Sequence, residues 1–207
     1  MIPLLFILVA LSSSTPEPVT AALENFQHLQ SYQVTLQSNA NGKSEIIRYY
    51  YKKPGFVRME FVKPYRGAVL VYNPEKKKVR LRPFRFLRPF VLTLDPDNRF
   101  LISSKGHRVD ASDIGVLLKT VSELQQHGTA RRLASEPIRG KESIRISVEG
   151  NDSFTVNFIN RYVLWLDMVT LFPLKVRAYN LDGELIEEVL MHDLEINIEF
   201  PDDFFDL

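Results

Sequence analysis

The sequence predicts a mainly β protein in which one large antiparallel sheet curls on itself and encloses two helices. Three observations support this fold class. Apolar and polar residues alternate with a period of two through most of the chain, which is typical of half-buried strands. Turn sequences such as Asn-Ala-Asn-Gly at residues 39–42 separate the alternating segments. Only two segments follow helical spacing instead. A sheet of about eleven strands must bury one face, and it can do so by curling on itself with the helices as its plug.

The first 14 residues resemble a secretory signal peptide. Ile2 to Leu11 form an apolar run of the length found in signal peptides, and three serines supply small residues for cleavage. The run is too short to span a bilayer, and the segment departs from the usual pattern because no Lys or Arg precedes it. We therefore expect residues 1–14 to be removed on export to the periplasm. Residues 15–207 are expected to form a single domain.

The elements follow in a simple order. A helix is expected over residues 15–30, with Thr15 as its cap. A second helix, capped by Asp110 or Ser112, carries an apolar stripe from Ile114 to Leu124 and ends at Gly128. Residues 92–106 are expected to form a loop. Strands are expected around residues 32–36, 47–51, 57–61, 68–72, 77–82, 129–134, 143–149, 154–159, 162–166, 174–179 and 184–198.

The sequence contains no recognisable catalytic or metal-binding motif. There is no glycine-rich phosphate loop, no G-x-S-x-G and no H-E-x-x-H, and the four histidines lack ligand spacing. The absence of cysteine excludes disulfides and thiol chemistry. We expect neither a cofactor nor enzymatic activity, although an enzyme of unknown type stays open as an alternative. A net charge of +1 argues against nucleic acid as the partner.

Several segments resemble a known family. Residues 51–61 read YKKPGFVRMEF and residues 67–74 read GAVLVYNP. Later segments read LWLD at 164–167, PLKV at 173–176 and FPDDFFDL at 200–207. In this order they resemble the bacterial lipoprotein-carrier superfamily with the LolA/LolB-like fold, which also contains the RseB-type sensors of envelope stress.

The resemblance implies a function. In this superfamily an incomplete antiparallel barrel, plugged by helices, holds acyl chains in an apolar cavity. We therefore expect a monomeric periplasmic carrier or chaperone for lipoproteins or lipids, active in lipoprotein or lipid trafficking to the outer membrane. Transient partners in the inner or outer membrane would accompany this role. The alternative is an RseB-like sensor that binds lipid or lipoprotein and regulates a protein partner.

The resemblance also implies site residues. Lys53 matches an arginine that holds the lid closed in the classical carriers, so Lys53 is expected to contact a lid that includes the second helix. A packed core without a cavity is the alternative for the inward-facing apolar residues. The residues expected to line the acyl-chain cavity are Val34, Leu36, Tyr49, Tyr51, Val57, Met59, Phe61, Val69, Val71, Leu117, Leu118 and Val121.

The basic and aromatic stretch RLRPFRFLRPF at residues 80–90 has several interpretations. It could stack on nucleic-acid bases, lie on an anionic membrane, or surround the mouth of an apolar pocket. It could also be an ordinary strand with an aromatic inner face and a basic outer face. In the fold implied by the resemblance it lies at the cavity mouth. Membrane or partner contact is therefore expected for Arg82, Phe84, Arg85, Phe86, Arg88 and Phe90.

Overall fold

A computed structural model describes residues 17–40, 43–84, 90–101 and 108–207. The expected signal peptide and Thr15 lie outside these ranges. The described residues form two α-helices, α1 (Pro18–His28) and α2 (Ile114–Gln126), and a short 3-10 turn at Val109–Ala111. The eleven strands are β1 (Ser31–Ala40), β2 (Lys43–Lys52), β3 (Phe56–Lys63), β4 (Val69–Asn73), β5 (Lys78–Arg82), β6 (Leu92–Leu94), β7 (Gly128–Leu133), β8 (Ser143–Gly150), β9 (Arg161–Asp167), β10 (Pro173–Tyr179) and β11 (Leu185–Ile196).

All eleven strands belong to one antiparallel sheet. Their spatial order is β6-β5-β4-β3-β2-β1-β11-β10-β9-β8-β7, so the first and last strands of the chain meet in the middle through β1 and β11. The strands β6 and β7 are the two free edges, and the sheet does not close into a barrel. The predicted fold class, an incomplete antiparallel barrel of about eleven strands with two helices, is confirmed.

The inner face of the sheet carries the main hydrophobic core. Alternate residues of the central strands meet the helices there, because side chains on a strand point to opposite faces in turn. Tyr49 from β2 and Leu164 from β9 are almost fully buried, as are Val19 of α1 and Leu118 of α2. The two helices therefore fill the concavity of the sheet.

The outer face is covered by two smaller clusters. Trp165 and Leu174 form one of them on β9 and β10. The C-terminal segment forms the other, where Phe205 packs on Val69 and Val71 of β4. Arg58 Nη1 also donates to the carbonyl oxygen of Phe204 at 2.8 Å and its guanidinium lies over the Phe204 ring, so the segment is held against the sheet.

The prediction that Val69 and Val71 line the inner cavity is wrong. Val71 pairs with Arg58 of β3, whereas the intervening Leu70 pairs with Met59 and packs in the main core. Directly paired residues in an antiparallel sheet share a face, so Val69 and Val71 point outward.

Three local elements also differ from the predictions: a predicted strand, a predicted loop and the cap of α2. Residues 154–159 form a tight turn closed by a bridge between Val156 and Ile159, not a strand. Asn157 and Phe158 have φ values of 52° and 67°, which an extended strand does not allow. The loop expected at residues 92–106 begins with the short strand β6. The α2 helix is capped by Asp113, whose carboxylate accepts from Val116 N at 3.1 Å.

Candidate functional site

The α1 helix lies across the inner face of the sheet at the end where β1 begins. It begins at Pro18, whose fixed φ suits the first turn of a helix. Val19 and Ala22 are buried on the face that meets the sheet, and Phe26 packs beside them. Polar contacts at the far end hold the helix, where Asn25 Nδ2 donates to the carbonyl oxygen of Thr170 at 3.2 Å.

The α2 helix is fixed to the same region by its first turn. Its buried stripe consists of Ile114, Gly115, Leu118, Val121 and Leu124, close to the predicted stripe. Gly115 lets the two helices touch, because a Cβ at this position would stand 2.3 Å from the ring of Phe26. The helices therefore meet without a gap at this point.

A group of stacked tyrosines forms the floor beneath the helices. The ring of Tyr32 stacks on Tyr51 at a centroid distance of 5.1 Å and on Tyr49 at 5.9 Å. The hydroxyl oxygen of Tyr32 accepts from Ile114 N at 3.2 Å, and the hydroxyl of Tyr49 is hydrogen-bonded to Ser112 Oγ at 3.1 Å. These bonds attach the start of α2 to strands β1 and β2.

Burial keeps these tyrosines neutral. Burial, together with the nearby Asp113 carboxylate, raises the pKa of Tyr51 to about 12. Burial also raises the pKa values of Tyr32 and Tyr49 well above the ordinary value of 10.0. On β9, burial and the carboxylate of Glu187 raise the pKa of Tyr162 to about 12.

We expect the free energy of unfolding to fall as the pH rises from about 10 towards 12. The tyrosines of the unfolded chain lose their protons near pH 10, whereas buried Tyr51 keeps its proton until about pH 12. The stabilisation is therefore complete below pH 10 and is lost as the pH rises from 10 to about 12. Urea unfolding over this pH range measures the decrease. Tyr51→Phe should make it smaller, and an equal decrease in this variant would contradict the buried neutral state of Tyr51.

An apolar pocket of about 240 Å³ lies between α1, the start of α2 and the turn from β9 to β10. Most of its wall is hydrophobic, and Asn25, His28 and Thr170 supply the polar groups. The residues that line it are Ala22, Asn25, Phe26, His28, Leu29, Ile114, Leu118, Thr170, Leu171, Phe172, Pro173 and Ile196. The ring of Phe172 joins this wall to the tyrosine floor, 5.3 Å from the ring of Tyr32.

Most residues expected to line a cavity lie in the packed core instead. Only Leu118 of the predicted set borders the pocket. Buried members of the main core are Val34, Tyr49, Tyr51, Val57 and Val121, and the partly buried members packed against it are Leu36, Met59, Phe61 and Leu117. The inner face of the sheet is therefore filled largely by the protein's own side chains.

Lys53 contacts α1. Its ammonium group donates to the carbonyl oxygen of Gln27 in the last turn of that helix, and its backbone N–H donates to Gln30 O at 2.9 Å. Lys53 was expected to contact a lid that includes α2, but among the described residues its hydrogen bonds reach Gln27 of α1 and Gln30 just after that helix.

The described end of the Arg-Phe stretch, from Arg82 onwards, lies at the end of the sheet opposite the pocket. Arg82 is half-buried at the end of β5, and its Nε is buried without a hydrogen-bond partner among the described residues. Phe84 and Phe90 are about half exposed, at 49% and 50%. Arg85, Phe86 and Arg88 lie outside the described residues. The expected contact with a membrane or a partner stays a prediction.

The described ranges contain neither a metal-binding cluster nor a helix able to span a membrane. No group of three or more His, Asp or Glu side chains there could hold a metal ion. Neither described helix has the length and hydropathy that crossing a bilayer requires.

Comparisons with known proteins give one family and several related folds. A family model for the MucB/RseB N-terminal domain matches residues 20–206. A chain of the Pseudomonas aeruginosa MucA/MucB complex is 17% identical with a TM-score of 0.54, and the match covers 90% of this chain but 61% of that one. A comparison with curated proteins gives no match.

Two further solved structures match over nearly their whole length. The Mycobacterium tuberculosis lipoprotein LppX is 10% identical with a TM-score of 0.53, covering 91% of this chain and 99% of that one. An uncharacterised conserved protein from Thermus thermophilus is 12% identical with a TM-score of 0.53, covering 90% of this chain and 96% of that one. At these identities the structural matches show a shared fold alone.

Proposed function

Since this chain belongs to the MucB/RseB N-terminal domain family, we propose that it is a periplasmic protein that binds acyl chains of lipids or lipoproteins beneath α1. The family match confirms the resemblance to the superfamily of lipoprotein carriers and RseB-type sensors. The observation that carries the proposal is the apolar pocket between α1, α2 and the turn from β9 to β10. The proposed role is binding and transfer without a catalytic step.

The chemistry of the pocket suits an acyl chain. Leaving a lipid tail in water costs about 0.8 kcal/mol per CH₂ group, so an ordinary chain costs on the order of 10 kcal/mol. An apolar wall removes this cost, and a few polar groups at the mouth can meet the ester or amide end of the chain. Asn25, His28 and Thr170 stand in this position.

In this proposal α1 moves when a full acyl chain binds. An apolar cavity of about 150 Å³ holds one benzene ring, and ligand pockets usually measure about 300 to 1,000 Å³. The present 240 Å³ therefore suits a short apolar group. Displacing α1 would remove Phe26 from Tyr51, where the ring centroids are 5.7 Å apart, and would extend the pocket onto the tyrosine floor.

The bonds that hold the far end of α1 are few. They are the Asn25 bond to Thr170, the Lys53 bond to Gln27, and bonds that Gln30 makes with Lys53 and with Asn197. The bonds of Asn25, Gln27 and Asn197 lie at the exposed surface, so water can replace them at a net cost of about 0.5 to 1.5 kcal/mol each. The lid in this proposal is α1.

We expect Asn25→Trp to abolish acyl-chain binding by filling the mouth of the pocket. Native mass spectrometry of protein purified without detergent, followed by organic extraction, would detect bound lipid or acylated peptide in the unmodified protein. Glu24→Trp is the matched control, because Glu24 is the exposed neighbour on α1 and does not line the pocket. Equal lipid content in both variants, or no uptake of added fatty acid by the unmodified protein, would contradict the proposal.

The second candidate is a sensor that regulates a protein partner. The family match favours it, as does the MucA/MucB complex, in which a chain of the same fold is found with a second protein. The match covers only 61% of that chain, so binding of a protein partner by the present chain is proposed separately from acyl-chain binding. A stable complex recovered from periplasmic extract, whose formation changes with added lipid, would favour the sensor over the carrier.

A further inference from the structure

Most of the large apolar side chains that the described residues expose lie at one end of the sheet. The two ends are distinguished by the strand register, since Glu60, Val69 and Arg82 form a row across β3, β4 and β5. The described residues beyond this row are the end of β3, the β3–β4 turn, and the residues next to β5 and β6. The exposed apolar residues beyond it are Val62 at 41%, Tyr65 at 65%, Phe84 at 49% and Phe90 at 50%.

The same region carries unpaired positive charge. Lys63 at the end of β3 and Arg66 in the β3–β4 turn are exposed, and no described carboxylate is within ion-pair distance of either. Residues 61–74 and 76–94 contain no Asp or Glu. The surface is therefore apolar at its tips and basic around them. We call it the basic rim and define it by Val62, Lys63, Tyr65, Arg66, Phe84 and Phe90.

The other half of the same end has the opposite charge. There Phe158 and Leu181 are exposed at 89% and 53%, but the neighbouring turns carry Asp152, Asp182 and Glu184. Apolar side chains alone do not distinguish the two halves, whereas charge does. An anionic surface would be attracted to the first half and repelled by the second.

We propose that the basic rim docks the protein on a lipid surface with anionic headgroups. Aromatic side chains favour the boundary between headgroups and acyl chains, and Lys and Arg near them are attracted by the negative surface potential. Two such cations next to four exposed apolar residues combine both attractions in one surface. This inference concerns a surface separate from the acyl-chain pocket and goes beyond the proposed cargo.

The basic rim and the pocket lie at opposite ends of the strands. The pocket is bordered by the turn from β9 to β10, and the strand order places this turn at the far end from the β3–β4 turn. A molecule docked through the basic rim therefore holds the pocket away from the lipid surface. Cargo or a protein partner could then reach the pocket from the aqueous side.

Vesicle sedimentation tests the inference. The purified protein should partition onto vesicles of phosphatidylcholine mixed with an equal amount of phosphatidylglycerol, and far less onto phosphatidylcholine alone. Lys63→Gln/Arg66→Gln should weaken partition roughly 30-fold, since each cation near an anionic surface contributes about a factor of five. Tyr65→Ser/Phe90→Ser should weaken it by about tenfold or more. Leu181→Ser, an exposed apolar site in the acidic half, should change nothing.

The outcomes separate this inference from the acyl-chain proposal. Asn25→Trp, which blocks the pocket, should keep full vesicle partition, because it leaves the rim unchanged. Partition that is equally strong without phosphatidylglycerol, or that survives both double substitutions, would overturn the inference. The absence of any vesicle binding would also overturn the inference, even if a protein partner were found to bind the basic rim.

Discussion

Leu118→Ala should lower the free energy of unfolding by about 3 to 5 kcal/mol. Leu118 is 1% exposed, lies in the middle of the buried stripe of α2 and borders the pocket beneath α1. Truncation removes its transfer free energy and leaves a cavity, and the surrounding helices cannot collapse fully because the tyrosine floor supports them. Urea unfolding measures the loss.

The same variant should bind medium-chain fatty acids more tightly once its folded fraction is taken into account. The new space is continuous with the pocket, so it offers room without displacing α1. Leu181→Ala is the control, since Leu181 is 53% exposed and its truncation should change stability by less than about 0.5 kcal/mol. A loss below about 1 kcal/mol for Leu118→Ala would contradict the packing described for α2.

Gly128→Ala should destabilise the protein by about 3 kcal/mol or more, because the added Cβ meets backbone. The Cβ would stand 2.0 Å from the carbonyl oxygen of Glu149 and 2.8 Å from that of Leu124. Gly128 connects α2 to β7 and faces Gly150 of β8, so relief of the clash requires β8 or the end of α2 to shift. Denaturant unfolding monitored by circular dichroism gives the change in free energy.

Gly140→Ala is the matched control for this steric effect. Gly140 has a φ of 82° and nothing within 4 Å of an added Cβ, so the cost there is conformational and should be about 1 to 2 kcal/mol. Similar losses for the two variants would contradict the close approach at Gly128.

Local periodicity explains which parts of the fold could be predicted from the sequence. The α2 stripe and most strands follow a regular pattern because each has one buried face. The pattern fails at residues 68–71, where all four residues are buried since the C-terminal segment covers the outer face of β4. Where both faces of a strand are buried, its residues are apolar throughout, and alternation does not show which of them face the core. For this reason the pattern places Val69 and Val71 on the wrong face of the sheet.

The turn at residues 154–159 shows a second limit. Phe154 and Val156 pack against the core as strand residues would, so their spacing predicts a strand. The left-handed φ values of Asn157 and Phe158 form a tight turn instead. Asn157 is the one residue of this segment that indicates a turn, because asparagine tolerates the left-handed conformation better than most residues.

The pocket could not be predicted because no single segment contains it. Its wall joins α1, the start of α2, the turn at residues 170–173 and the end of β11. Only the register of β1 with β11 and the antiparallel order of β9 and β10 bring these segments to one end. Strand periodicity identifies the inner face but contains no information about which inner residues the helices leave uncovered.

The most direct test of acyl-chain binding beneath α1 is to lock this helix in place and measure uptake. The chain contains no cysteine, so Asn25→Cys/Thr170→Cys adds the only two thiols, at positions already joined by a hydrogen bond. Mass spectrometry verifies the disulfide, and fluorescent fatty-acid binding is then measured before and after reduction. We predict that the oxidised protein binds little fatty acid and that reduction restores binding. Equal binding by the oxidised and reduced forms would show that acyl chains do not enter beneath α1.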